Sequence, residues 1–208
     1  MSNKVDLKKT LDSYQARRGE FRILEVPPMR YLMIDGSGDP NDSPEFAAAV
    51  ETLYPVAYGL KFASKRELGR DYVVPPLEGQ WWAPDMSVFT GARDKSRWNW
   101  TLLLFVPEWI DDELVATTIA KVGAKKAPPR IDDLRVEEID EGLCVQTLHL
   151  GSFDDEGPIL ARMHEEFIPD NGLRMTGRHH EIYFSDFRNV TPDRLRTILR
   201  QPVERVQR

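Results

Sequence analysis

The two halves of the 208-residue chain repeat one order of predicted elements: a strand, a turn with glycine, serine and acids, a helix, and two further strands. The turn is GSGDPND at 36–42 in the first half, and in the second half it begins at Gly151. One such module has a sheet with a helix on one face, and pairing two modules lets the sheets join or face each other. The repeat therefore predicts an α+β fold, a tandem pair of strand-helix-strand-strand modules with a ligand cleft between them.

Proline and polar residues mark the expected boundaries of the modules. The pair at 128–129 is the best linker candidate in the chain, so the modules are expected at about 20–127 and 131–208. Residues 1–19 are polar and charged, with apolar positions spaced for one short helix. They are predicted to form an N-terminal appendage.

Each module has one well-marked helix. In the first module Ser43 is a suitable N-cap before Pro44, and apolar residues then recur at helical spacing as far as Leu60. In the second module the matching helix is expected at 159–168.

Composition and charge narrow the range of partners. The 28 Lys and Arg against 34 Asp and Glu give a net charge of −6, which argues against nucleic-acid surfaces and anionic membranes. The single cysteine, Cys144, excludes an internal disulfide, and no apolar leader or long apolar run is evident. We expect a cytoplasmic protein whose partner is a small molecule, and its oligomeric state, monomer or homodimer, stays open.

The segment HHEIYFSD at 179–186 is the best functional candidate. Side chains alternate between the two faces of a strand, so Glu181 and Tyr183 are expected on one face and His180 on the other, with Ile182. A carboxylate in the middle of a largely buried strand is costly unless it has a partner or a function. Glu181 with Tyr183 is therefore the principal candidate site.

Six segments, spread over nearly the whole chain and in a fixed order, resemble one family. They are GSGDPN at 36–41, LYPVAYGLK at 53–61, PPLEGQWW at 75–82, EGLCVQTLHLGSFDDE at 141–156, HHEIYFSD at 179–186 and LRTILRQPV at 195–203. The chain resembles the GyrI-like small-molecule-binding proteins, and most closely their stand-alone cyclopropanoid cyclopropyl hydrolase subgroup. The resemblance implies a GyrI-like or Rob C-terminal-like effector-binding fold over residues 20–208.

The resemblance also implies a chemistry. The cavity between the modules would be walled by aromatic rings and would take flat lipophilic toxins that carry an electrophilic cyclopropane, with Glu181 reaching in from the second module. Water would open the ring and detoxify the compound without a cofactor. The alternative is a non-catalytic protein that binds or sequesters drugs, often cationic ones. A regulator's sensor domain is a third class, for which the N-terminal region is too short to supply DNA binding.

The two main functions assign different roles to the same residues. As a hydrolase, the protein would use Glu181 to deprotonate a water molecule, and Tyr183, Tyr54 or a histidine would stabilise the oxygen on which negative charge develops. As a binder, it would pair Glu181 with a ligand cation among aromatic rings. His180 is most simply a satisfied polar residue on the core side, and a ligand-binding or catalytic role is the alternative.

Aromatic residues supply the candidate walls of the cavity. Trp98 and Trp100 share a strand face and form either core against the first helix or a stacking wall. Trp82 is expected at the cavity mouth. Tyr54, Tyr58 and Lys61 are placed on one helical stripe by their spacing, and they are further candidate ligand-binding residues.

No metal or cofactor site is predicted. His179 and His180 are adjacent on a strand and point to opposite faces, and their spacing from His164 and Cys144 resembles no ligand motif. Cys144 is most simply a small buried hydrophobic residue. The turn GSGDPN has too few glycines, and no following lysine, for a phosphate-binding loop.

Overall fold

The computed structural model describes residues 4–84, 94–186 and 189–207. Within them the chain forms nine strands and five α-helices. The strands are β1 (Arg22–Val26), β2 (Met29–Ser37), β3 (Leu77–Trp82), β4 (Asn99–Phe105), β5 (Arg135–Ile139), β6 (Gly142–Leu150), β7 (Leu173–Met175), β8 (His179–Tyr183) and β9 (Arg196–Arg205). The helices are α1 (Leu7–Thr10), α2 (Pro44–Ala63), α3 (Asp112–Lys126), α4 (Gly157–Ala161) and α5 (Ile168–Asp170).

The two modules share one antiparallel sheet. Its order is β1-β6-β9-β8-β3-β4-β2-β5, and β7 pairs with β9 outside this path. The order is symmetric about the junction of β3 with β8, so the pseudo-twofold axis passes between these two strands. The predicted α+β fold of two modules is confirmed, and the modules join edge to edge.

The first strand of each module pairs with a strand of the other module. β1 pairs with β6, and β5 pairs with β2, both antiparallel. The prolines at 27–28 separate β1 from β2 and prevent one continuous strand, because proline lacks the amide hydrogen that a sheet ladder needs. This exchange ties the two modules together at both outer edges of the sheet.

The helix of the first module begins where its sequence predicts. The Ser43 hydroxyl accepts a hydrogen bond from the Phe46 amide at 3.3 Å, and Pro44 occupies the first turn of α2. α2 packs on the sheet through Leu53 and Leu60, which are completely buried. It continues into a π-helical turn at Ser64–Leu68.

α2 also packs closely against α3. A Cβ atom on Gly59 would lie 2.8 Å from Thr118 Cγ2 of α3, so this approach of the two helices requires glycine. Around the axis of α2, Tyr58 lies about 100° and Tyr54 about 140° from Gly59. Because α3 lies on the side of Gly59, the two tyrosines face away from it.

The helix of the second module is broken into three parts. α4 and α5 are joined by a π-helical segment, Arg162–Phe167, which widens the helix over one turn. Pro169, which has no amide hydrogen to donate backwards, follows this segment in α5. Met163 and Ile168 point to the sheet and form a separate core with Val145 and Leu199.

The segment predicted to be an appendage packs on the other face of the sheet. Tyr14 is 1% exposed and joins an apolar cluster with Leu24, Tyr31 and Ile182. Leu7 is also buried. Leu7, Ser13 and Tyr14 are therefore part of the core, while the other residues of 4–19 are exposed or half-buried.

None of the helices in the described ranges is both long enough and apolar enough to span a lipid bilayer.

Candidate functional site

The candidate site lies where the two modules meet. In the pairing of β3 with β8, Gly79 is opposite Glu181, Trp81 is opposite His179, and Leu77 is opposite Tyr183. Alternation places all six side-chain positions on the same face of the sheet. The predicted face shared by Glu181 and Tyr183 is thus at the pseudo-twofold axis.

Gly79 leaves the space that the site needs. A Cβ atom at this position would lie 2.9 Å from the Tyr183 hydroxyl and 3.0 Å from Trp81 Nε1. Trp81 of β3 and Tyr183 of β8 both extend over the glycine. Any larger residue would push them apart, so the glycine is required for their contact.

A chain of hydrogen bonds orients the carboxylate. Trp81 Nε1 donates to the Tyr183 hydroxyl at 3.0 Å, and that hydroxyl donates to Glu181 Oε2 at 2.7 Å. The other carboxylate oxygen, Oε1, lies 3.4 Å from His179 Nε2. Glu181 therefore has one oxygen held by the protein and one directed towards an imidazole.

Tyr183 stays protonated over the whole ordinary pH range. Burial raises the pKa of its phenol well above the usual value, and the negative charge of Glu181 raises it further. A phenol that does not ionise remains a hydrogen-bond donor. The side chains of His179 and Glu181 are 12% and 14% exposed, so the site is only slightly open to solvent.

Aromatic rings pack against Trp81 and Tyr183, the two side chains of the hydrogen-bond chain that ends at the carboxylate. The ring of Trp98 lies edge-on to Trp81 at 5.7 Å between centroids, and Phe153 lies edge-on to Tyr183 at 5.6 Å. Phe46 lies parallel to Trp81 at 6.3 Å. A flat ligand beside Glu181 would therefore meet ring surfaces from both modules.

The two sides of the axis differ in polarity. In the first module Trp81 pairs with Trp100 of β4, while in the second module Tyr183 pairs with Thr197 of β9. The Thr197 hydroxyl is buried without a hydrogen-bond partner within the described residues. The first module thus supplies an apolar wall and the second a polar one.

His164 adds a second imidazole on the polar side. It lies on the π-helical segment, and its ring is edge-on to that of His179 at 6.3 Å between centroids. Burial lowers the pKa of His164 to about 4, and the neighbouring His179 acts in the same direction. His164 is therefore neutral at physiological pH and can exchange hydrogen bonds without carrying charge.

Trp98 and Trp100, which the sequence places on one strand face, differ in burial. Trp100 is completely buried, with its ring edge-on to Phe46 and directly above Gly36, where a Cβ atom would overlap it. It belongs to the core against α2. Trp98 is half-buried beside Trp81 and is the one that can form a stacking wall.

The tyrosines of α2 are more exposed than the rest of the site. Tyr54 is half-buried and packs against the apolar cluster that contains Trp81 and Tyr183. Tyr58 is 47% exposed, and its ring is 6.4 Å from that of Tyr54. The roles predicted for both tyrosines stay predictions.

Three predicted ligand-binding residues do not share the surface of Glu181. Lys61 is buried and forms an ion pair with Asp71, so its charge is already partnered. Trp82 points to the opposite face of the sheet because it follows Trp81 in β3. His180 is also on that opposite face and is completely buried.

His180 belongs to a buried ionic network. Its Nδ1 lies 2.8 Å from Glu141 and its Nε2 lies 3.0 Å from Glu78, while Arg200 Nη1 donates to Glu141 at 2.7 Å. Burial by itself lowers the pKa of His180, but Glu141 and Glu78 outweigh this effect and raise it to about 9. Tyr14 closes the network by donating to Glu78.

Four residues beside the Glu181–Tyr183 pair are not predicted from the sequence: Gly79, Trp81, Phe153 and His164. The alternation in LEGQWW does place Trp81 on the face of Gly79. Which face meets Glu181 depends on the pairing of β3 with β8, a contact between residues about a hundred positions apart. Local patterns do not carry that information.

No group of three or more metal-ligating side chains lies close enough to hold a metal ion within the ranges that the structure describes.

The sequence model of the GyrI-like small molecule binding domain matches residues 19–204. No curated protein matches the chain. Among solved structures, an uncharacterized conserved protein from Listeria innocua is 38% identical, with a TM-score of 0.86, over 97% of this chain and 100% of that one. A hydrolase from Listeria innocua is 36% identical, with a TM-score of 0.83, over the same shares.

A more distant structure shows the fold alone. The C-terminal domain of EcmrR is 12% identical, with a TM-score of 0.54, over 90% of this chain and 98% of that domain. The family match covers both modules and the junction that positions Glu181. The chain belongs to the GyrI-like family of small-molecule-binding proteins.

Proposed function

We propose that the protein binds flat aromatic molecules beside Glu181 and hydrolyses those that carry an electrophilic cyclopropane, a detoxification. One observation carries the proposal: a carboxylate held at one oxygen by Tyr183 at 2.7 Å, on a surface walled by aromatic rings. The similarity to a Listeria innocua hydrolase at 36% identity supports a hydrolytic activity.

The reaction follows from the two carboxylate oxygens. Tyr183 occupies Oε2, so Oε1 is the oxygen that can accept a proton from water. The water oxygen forms a bond to the cyclopropane CH₂ carbon as the strained carbon–carbon bond breaks. The electron pair of that bond moves through the conjugated ring to the carbonyl oxygen, which becomes a phenolate.

The proton balance closes without a cofactor. Glu181 holds the proton taken from water, and the phenolate takes up one proton, so the net change is addition of one water to the substrate. Neither oxidation nor reduction occurs. A hydrogen-bond donor near the phenolate lowers the barrier, and a histidine or Tyr54 remains the candidate for this role.

The second candidate function is binding without turnover. Glu181 is hydrogen-bonded to Tyr183, whose side chain contacts Trp81 and Phe153, and a lipophilic cation could pair with the carboxylate while it contacts these rings. Each cation–aromatic contact contributes about 1 kcal/mol. In this function the carboxylate acts as a fixed counter-charge.

Mass spectrometry separates the two functions. The protein, in catalytic amount, is incubated with excess of a cyclopropane-bearing dienone, and the product with the added mass of one water is followed over time. Glu181→Gln should abolish turnover while much of the binding is retained. Glu166→Gln, the same change at an exposed position of the second module's helix, should behave as the wild type.

The outcomes are distinct. Stoichiometric binding with no water adduct would reject the hydrolase. The binding function would be supported if Glu181→Gln lost affinity for aromatic quaternary ammonium cations and kept its affinity for neutral aromatic compounds. Equal turnover in Glu181→Gln and Glu166→Gln would remove Glu181 from the mechanism.

A further inference from the structure

A cavity lies on the face of the sheet opposite Glu181. Its volume is about 320 Å³, large enough for a small organic molecule. Four parts of the chain form it: Gln80 of β3, residues 139–141 at the turn between β5 and β6, the segment 176–178 before β8, and Pro202 of β9. No role in the proposed hydrolysis involves this cavity.

Gln80 presents its side-chain amide to the cavity. It is 7% exposed, lines the cavity, and forms no side-chain hydrogen bond within residues 4–84, 94–186 and 189–207. A ligand in the cavity could supply the missing hydrogen bond.

Arg178 brings a positive charge to the same cavity. Its guanidinium stacks on Trp82, 3.5 Å from the ring centroid, and its Nη1 makes one long contact with the Thr101 hydroxyl at 3.4 Å. No carboxylate lies within ion-pair distance of it in the described part of the chain. Stacking fixes the plane of the guanidinium and leaves its donors available.

The acidic residues of the cavity do not cancel this charge. Glu141 is neutralised by Arg200 at 2.7 Å and by His180 at 2.8 Å. Asp140 is exposed, so water screens its charge. Ile139 and Pro202 add apolar surface to the lining.

We propose that this cavity binds a small organic carboxylate, which pairs with Arg178, accepts a hydrogen bond from the Gln80 amide and packs its apolar part on Ile139 and Pro202. A planar carboxylate fits the guanidinium fork through two parallel hydrogen bonds. Inorganic phosphate fits the charge but has no group for the apolar walls, so it binds more weakly.

Titration calorimetry tests the site with three probes: sodium benzoate, the neutral isostere benzamide, and inorganic phosphate. Benzoate is expected to bind, benzamide to bind at least about tenfold more weakly, and Arg178→Gln to weaken benzoate at least about tenfold, the loss of one charged hydrogen-bonding pair. Arg174→Gln makes the same change on neighbouring β7, where the arginine pairs with Glu204, and should leave benzoate affinity unchanged.

A second variant distinguishes a loss of benzoate binding from a folding defect. Gln80→Leu removes an amide that makes no hydrogen bond in the described chain, so thermal stability should be kept while benzoate affinity falls. Absence of benzoate binding to the wild type, equal binding of benzamide, tighter binding of phosphate, or equal losses in Arg178→Gln and Arg174→Gln would each overturn the proposal. Glu181→Gln should retain benzoate affinity, so this site and the hydrolysis fail independently.

Discussion

Tyr183 donates its hydroxyl to Glu181 Oε2 across 2.7 Å, two residues away on the same face of β8. The same hydroxyl accepts from Trp81 Nε1 of the other module at 3.0 Å. The orientation of the carboxylate therefore depends on both modules and on the space above Gly79. Because the pKa of Tyr183 is raised well above its usual value by burial and by Glu181, this donor does not ionise at working pH.

Tyr183→Phe should reduce hydrolysis by about 10- to 100-fold, because Glu181 loses the bond that fixes its direction. Trp81 Nε1 loses its acceptor in the same variant, so stability should fall by about 1 to 3 kcal/mol. Steady-state rates and urea unfolding measure the two effects. Unchanged rates would show that Tyr183 does not position the carboxylate.

Tyr72→Phe is the matched control for this change. Tyr72 is also buried, in the core of the first module, and no hydrogen bond of its hydroxyl is present in the described chain. Its removal should leave the rate unaltered. A similar loss of rate in both variants would point to a general packing defect.

Gly79→Ala should disrupt the site more than the fold. The added methyl would lie 2.9 Å from the Tyr183 hydroxyl, so the Trp81–Tyr183 contact must open. We expect a destabilisation of about 1 to 3 kcal/mol and a loss of ligand binding, measured by tryptophan fluorescence. Gly157→Ala is the control, since nothing lies within 4 Å of a Cβ atom there. Normal binding by Gly79→Ala would contradict the assigned role of the glycine.

The sequence is sufficient to predict the fold and the orientation of β8. Strand alternation places Glu181 with Tyr183 and His180 opposite, and the N-cap at Ser43 locates α2. These are local patterns with periods of two or 3.6 residues. The partners of Lys61 and Trp82, namely Asp71 and Arg178, are set by the tertiary arrangement instead, so spacing alone could not show that both side chains lie away from Glu181.

The N-terminal segment is placed by contacts that are still more distant in sequence. The Ser13 carbonyl accepts a hydrogen bond from Arg200 Nη2 at 2.6 Å, although the two residues are 187 positions apart. Tyr14 donates to Glu78, which is also distant in sequence. The buried ionic network forms hydrogen bonds with polar residues that composition alone would place at the surface. For that reason the sequence predicts residues 1–19 as an appendage, while three residues of this segment, Leu7, Ser13 and Tyr14, are buried.

His164→Leu should make the protein more resistant to acid. The folded pKa of His164 is about 4 against 6.5 when unfolded, because burial disfavours the charged ring. The unfolded state therefore binds more protons between these values, and stability that is complete above pH 6.5 falls by roughly 2 to 3 kcal/mol towards pH 4. Urea unfolding across this range should show a shallower decline in the variant. Parallel curves for variant and wild type would contradict the assignment.

The destabilisation caused by His180→Gln should depend on pH in the opposite sense, and it should be largest at low pH. The pKa of His180 is raised from 6.5 to about 9 by Glu141 and Glu78, which outweigh burial, so the folded state binds the extra proton. Its contribution to the free energy of unfolding is complete below pH 6.5 and is lost as pH rises through 9. Because a tenfold change in proton affinity corresponds to about 1.4 kcal/mol, this contribution amounts to roughly 3 kcal/mol. The difference in unfolding free energy between wild type and variant should therefore be largest near pH 6 and shrink towards pH 10.

Urea unfolding of the His180→Gln variant and the wild type at several pH values measures this difference. The buried tyrosines of the network, Tyr14 and Tyr31, have pKa values raised well above 10 by burial, so they do not titrate in the folded protein over this range. A difference that is constant from pH 6 to pH 10 would show that the imidazole is not protonated in the folded network, and that Arg200 alone balances the two glutamates.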